Sequence, residues 1–154
     1  MVFAIARQCR LRAATLFGYV VMPHHIHMVI RPAPKMNGPQ FLRTLKKQSG
    51  DAIVRLLSEA ELRQFDQQRG LNGTTFWQYS FRIVVIESEE MFWEKMNYIH
   101  MNPVEVGYVA SPEEYRWSSA KLVLEGRLSR ETGLPYDDVV RSLGAQSEEG
   151  ESDA

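Results

Sequence analysis

Two short β-forming runs, "LFGYVVMP" and "HIHMVIRP", stand back to back near the start of the chain, and each is closed by a proline. Pro23 and Pro32 bring no N–H to a strand ladder, so each run stops where its proline stands. The two runs can pair as a hairpin around Met22-Pro23-His24. His25 and His27 fall at the start of the returning strand. Side chains alternate along a strand, so these two face the same side, about 6.6 Å apart, a spacing from which two imidazoles can converge on one ion. A histidine on a strand is also an ordinary half-exposed structural residue, and the pair taken alone leaves both readings open.

The hairpin is flanked by helical patterns. Residues 3–15 interleave apolar groups with arginines and read as an amphipathic helix. "QFLRTLKKQSGDAIVRLLSEAELRQF" repeats its apolar residues at helical spacing, with Gly50 as either a break or a close-packing point. Arg43, Lys46, Lys47 and Arg55 make it the main basic segment, which reads as a solvated face or as a phosphate-contacting one. "FWQYSFRIVVI" has the aromatic and β-branched composition of a further strand. In "SEEMFWEKMNYIHMN", Ser88 is a good N-cap, Glu89 and Glu90 suit the first turn, and Pro103 predicts an end at Asn102. A turn, a short segment and a weaker helix follow. The order predicts an α+β sandwich with helices on a mostly antiparallel sheet, a ferredoxin-like arrangement that lacks its opening strand.

At 154 residues the chain suits one domain, placed at 1–144, followed by an acidic disordered tail at 145–154. Removing the tail's Glu148, Glu149, Glu151 and Asp153 takes the formal charge from −1 to +3, so the remainder is mildly basic. Cys9 has no partner for an internal disulfide, and there are no paired zinc-ligand cysteines. A reducing, cytoplasmic setting is the expectation. The first residues lack the continuous apolar core of a signal peptide, and no segment approaches the roughly 20 apolar residues that span a bilayer, so no membrane partner is expected.

A further candidate group lies in "MNYIHMNPVEVGYV". Tyr98 and Asn102 are four apart and share one helix face, while His100 points elsewhere. Singly, Tyr98 also reads as a core-edge aromatic and Asn102 as a cap before Pro103. "YVVMPHHIHMVIRP", "FLRTLKKQSGDAI", "FWQYSFRIVVI" and "YIHMNPVEVGYVASPEEYRWSSA", occurring in this order over 18–120, together resemble one family. It is that of the HUH single-strand DNA transposases of the IS200-like type, specifically the REP-associated tyrosine transposase branch.

The resemblance implies metal-assisted cutting and rejoining of single-stranded DNA that carries a hairpin, by a monomer or homodimer. His25 and His27 match the family's two metal-binding histidines, with Mg²⁺ or Mn²⁺ as the expected ion. Tyr98 matches the nucleophile that forms a 5′-phosphotyrosine intermediate, and Asn102 matches a polar residue that completes the metal site. His24 stands where the family often carries Asn or Asp. A phenol titrates near pH 10 and needs help to act as a nucleophile, help that a divalent ion can give. Arg43, Lys46, Lys47 and Trp77 are candidate DNA contacts, although Phe76 and Trp77 read equally as core. "YRWSSA", with Tyr115 and Trp117, reads as packing that anchors the C-terminal segment, with a direct DNA role as the alternative. The family's opening strand is missing here, which implies either an internal start or a shortened copy with an exposed sheet edge. The alternatives are a catalytically inactive hairpin-binding relative, a metal-dependent phosphoesterase that tolerates Tyr98→Phe, and a purely structural domain.

Overall fold

The computed structural model describes residues 1–69, 76–77 and 81–144. The predicted acidic tail at 145–154 lies outside the described residues. The chain divides into two compact units, Met1–Lys35 with Val85–Ala154, and Met36–Val84.

The first unit is built on the hairpin. β1 (Thr15–Val21) and β2 (Ile26–Arg31) pair antiparallel, with Val20 opposite His27 and Val21 opposite Ile26. The turn closes with Met22 N–H donating to the His25 carbonyl at 2.9 Å, and an irregularity between Leu16 and Gly18 shifts the register. One face carries Phe17, Val20, Met22 and Val29, which form a buried cluster with Phe92, Met96 and Ile99 of α4 (Glu89–Glu105). On the other side, Leu16 shares a cavity with Ala6 and Cys9 of α1 (Val2–Leu11) and Val139 of the short helix Tyr136–Gly144. Burial there pushes the Cys9 thiol up to about 12, so it is an inert packing group. The short helix at the end of the unit was not anticipated, although Pro135, Asp137 and Asp138 are helix-start signals.

The free edge of β1 is not exposed. Val21 N–H donates to the Trp117 carbonyl at 2.8 Å, Ser119 N–H to the Tyr19 carbonyl at 3.0 Å, and Leu134 N–H to the Leu16 carbonyl at 2.7 Å. Tyr115 adds a hydroxyl bond to the Val21 carbonyl at 3.0 Å. Later residues thus occupy the edge where an unpaired strand was expected, and "YRWSSA" anchors the C-terminal segment by backbone pairing. Ser119, fully buried, also accepts the Tyr19 N–H on its hydroxyl at 2.9 Å. His100 reaches the same hydroxyl with Nε2 at 2.9 Å.

α4 runs three residues beyond the predicted stop. Ser88 caps its start, accepting the Met91 N–H at 3.1 Å. Pro103 sits in its last turn, where only one intrahelical bond is forfeited. The real stop is Gly107 at φ +76, whose N–H bonds the Val104 carbonyl at 2.9 Å while Tyr108 N–H bonds the Pro103 carbonyl at 2.9 Å. That pair of bonds is a Schellman motif, with glycine in the left-handed position it favours.

In the second unit, α2 (Gly38–Val54) starts at Asn37, whose side-chain oxygen accepts the Gln40 N–H at 2.9 Å. The helix passes through Gly50, which is a close-packing point: a Cβ there would lie 3.4 Å from the Trp77 ring. Trp77 donates its indole N–H to Ser49 Oγ at 2.9 Å. The break falls later, before α3 (Glu59–Arg69), where Ser58 and Glu61 bond reciprocally: Ser58 N–H to Glu61 Oε2 at 2.8 Å, Glu61 N–H to Ser58 Oγ at 3.3 Å.

The strand expected over 76–86 is not observed among its described residues. Phe76 and Trp77 form a bend, and 81–87 carry no strand pairing. Phe81, Ile83, Val84 and Val85 are exposed. Strand-forming composition expresses itself only against a paired neighbour, and these residues have no ladder. No helix among the described residues is long and apolar enough to cross a membrane.

Two predictions follow from this packing. Burial pushes His100 down to about 4 from an ordinary 6.5, so the unfolded chain takes the proton first. Stability from this group is complete above about pH 6.5 and drains away toward pH 4, by about 3 kcal/mol. Urea unfolding from pH 7 to pH 4 should show a smaller loss in His100→Gln than in the parent chain. A Cβ at Gly18 would meet Met96 Sδ at 2.7 Å and Ile99 Cδ1 at 3.3 Å. Gly18→Val should therefore cost about 1–3 kcal/mol by overpacking, and pairing it with Met96→Ala should cost less than the two changes summed.

Candidate functional site

The site is assembled from two elements of the first unit. The side chains of His25 and His27 lie on the face of the hairpin that α4 covers, in line with Val29, by the two-residue alternation of a strand. α4 lies close because Gly18 offers no side chain at the crossing, where Met96 and Ile99 press onto β1. Tyr98, between those two in sequence, is left at the helix flank beside β2, half-exposed at 51%.

The geometry brings the sequence-derived residues together. The rings of His25 and His27 have centroids 4.7 Å apart and stand nearly perpendicular. The His27 and Tyr98 rings are 5.7 Å apart, again edge to face. Asn102, one turn beyond Tyr98, donates its side-chain N–H to the Tyr98 carbonyl at 2.8 Å, which leaves the amide oxygen as its available acceptor. His100 takes no part; it is buried on Ser119. His24 is exposed in the turn.

Electrostatics favour a neutral His27. Burial lowers its pKa, the neighbouring His25 adds to the effect, and the Asn102 side chain acts weakly in the opposite sense. The Asn102 side chain approaches the ring, but no hydrogen bond of ordinary geometry reaches its buried Nε2. A buried imidazole nitrogen left unpaired is costly in a fold that serves only itself. It is the donor atom that a metal ligand needs. Among the described residues no three His, Cys, Asp or Glu side chains cluster. Two imidazoles and one amide oxygen fit an ion that draws its other ligands from water and phosphate oxygens.

The remaining candidates belong to the second unit. Arg43 and Lys47 are exposed one turn apart on α2, and Lys47 pairs with Asp51 at 3.4 Å. The Lys46 ammonium lies 5.1 Å from the centre of the Phe81 ring. Trp77 is half-buried on α2, which gives its ring a packing role. Two positioning residues escaped the sequence reading. Gly18 carried a signal, an isolated glycine inside a strand pattern. Ser119 carried none, since a serine that pins a strand 100 residues away looks like any other.

The family model for IS200-like transposases matches residues 3–102. No curated protein matches the chain. Among solved structures, the chain is similar to a REP-associated tyrosine transposase bound to a REP hairpin, at 23% identity and a TM-score of 0.56, over 89% of this chain and 71% of that one. That likeness is one of fold. The family match covers well over half of the sequence, and the chain belongs to the IS200-like transposase family.

Proposed function

We propose that this member of the family cuts and rejoins single-stranded DNA beside a hairpin, through a covalent bond to Tyr98. The observation that carries the reading is the meeting of Tyr98 with His27 at 5.7 Å between ring centres, from elements that share no sequence neighbourhood. The hairpin substrate is carried over from the structural relative, which is bound to a REP hairpin.

In the forward step the Tyr98 phenolate oxygen forms a bond to phosphorus, and the bond from phosphorus to the 3′ oxygen breaks. The 3′ oxygen takes a proton and leaves as a hydroxyl, and the 5′ phosphate stays on the tyrosine. Reversal by the same or another 3′-hydroxyl restores the DNA backbone and frees the phenol, so no nucleotide cofactor is needed. A divalent ion, Mg²⁺ or Mn²⁺, held by His25, His27 and the Asn102 oxygen, would stabilise charge on the phosphate and on the phenolate. The chain's own contribution is placement. The hairpin fixes both imidazoles, and burial favours the neutral form of His27. The α4 contact at Gly18 sets the tyrosine beside them. Tyr98 is half-exposed, as a group that meets a backbone phosphate needs to be. Arg43 and Lys47 are proposed to attract the DNA backbone, an effect that salt should weaken.

Incubation with labelled single-stranded hairpin oligonucleotides and Mn²⁺ should give a covalent adduct on a denaturing gel, absent with EDTA and absent in Tyr98→Phe. A folded chain that binds the hairpin without forming the adduct would support the inactive-binder reading instead. Without DNA, millimolar Mn²⁺ should raise the unfolding temperature of the parent chain and leave that of His27→Ala unmoved. An equal rise in both would remove His27 from the metal site.

A further inference from the structure

The face of α4 that bears the candidate nucleophile continues past the chemistry. Tyr98, Asn102 and Val106 follow each other at four-residue intervals along that face, and Tyr108 comes immediately after the helix stop. The Schellman bonds of Gly107 and Tyr108 fix where that last tyrosine goes. Its ring lies nearly parallel to Tyr115, at 17° with centroids 6.3 Å apart. Tyr115 is held from below: its hydroxyl donates to the Val21 carbonyl, and its ring packs against the cluster that α4 forms with the hairpin. Tyr108 is set beside this anchored ring, offset and nearly parallel to it, and is itself 52% exposed.

The ring packs on one side only and leaves about half of the residue in water. At the C″ position of a Schellman motif an apolar residue ordinarily turns back against its own helix. Here the ring also lies nearly parallel to that of Tyr115. The location also matters. Val21, which Tyr115 grips, pairs with Ile26, the residue between His25 and His27. The gripped strand is therefore one inter-strand spacing, about 4.8 Å, from the strand that carries the histidines.

We propose that Tyr108, backed by Tyr115, is a stacking platform for one unpaired nucleobase of the single strand whose phosphate lies at Tyr98. The inference rests on the reading of the site as a single-strand DNA nuclease and adds a base-binding position to it. Stacking on an aromatic face tolerates any base, so the platform fixes the position of the strand without selecting its sequence. Its effect is to hold the flank of the scissile phosphate at a set distance from the nucleophile.

The test uses hairpin oligonucleotides with a single-stranded flank in which one nucleotide at a time is abasic or 2-aminopurine. In the parent chain, one abasic position should lower affinity about tenfold, and 2-aminopurine at that position should be quenched on binding. Tyr108→Ala should show the same loss on intact DNA, no further loss from the abasic change, and no quenching. Tyr108→Trp should retain both. Equal binding by the parent chain and Tyr108→Ala, or an abasic penalty unchanged in the variant, would overturn the platform. Adduct formation by the parent chain reports on the nuclease reading separately. Hairpin binding without an adduct leaves the stacking readout intact, whereas no binding by the folded parent chain overturns both.

Discussion

The close approach of α4 to β1 is the contact on which the first unit depends. A strand residue other than glycine at position 18 would place a Cβ within 3 Å of the Met96 side chain. Protein interiors are packed too densely to absorb such an intrusion without a shift. Because Gly18 is bare, Met96 and Ile99 settle into the cluster with Phe17, Val20 and Val29, and the helix lies flat on the hairpin. Tyr98 is one residue from Ile99 and cannot be relocated independently of it. The same packing that fills the core therefore aims the candidate nucleophile.

How far this was legible depends on the range of the interactions. The hairpin, its turn at Pro23 and the shared side of His25 and His27 are consequences of alternation and proline chemistry within a dozen residues, and they were readable. So was the pairing of Tyr98 with Asn102 by helical spacing. The end of α4 was misplaced because Pro103 was given more weight than Gly107; both are stop signals, and a proline in the last turn costs only one bond. The run at 81–86 has strand composition without a ladder, a distinction that composition cannot express. The cover on the edge of β1 was invisible for another reason. Trp117, Ser119 and Leu134 use backbone groups and a hydroxyl, which carry no periodic signature.

The site divides its requirements between rigid and open parts. His27 is half-buried, with one nitrogen left unpaired at a cost that the surrounding core sustains. Tyr98 and His25 remain accessible. Asn102 ties its amide hydrogen to the backbone of the turn that bears Tyr98, so its own orientation is coupled to that of the tyrosine. Such arrangements, in which each functional group is held by a neighbour that has packing reasons to stay put, keep a site in register without a separate scaffold.

The pin at Ser119 has a consequence for the order in which the molecule can be completed. Tyr19 and Ser119 are 100 residues apart, and the bonds between them close the edge of the strand that supports the histidines. Contacts of such long range form late, after the entropy of a large loop has been overcome. During synthesis the hairpin and its imidazoles emerge first, then Tyr98, and the clamp only after the chain has passed residue 119. A nascent chain holding every candidate catalytic group is thus still an open-edged intermediate, and the edge closes only with a segment that contributes none of those groups.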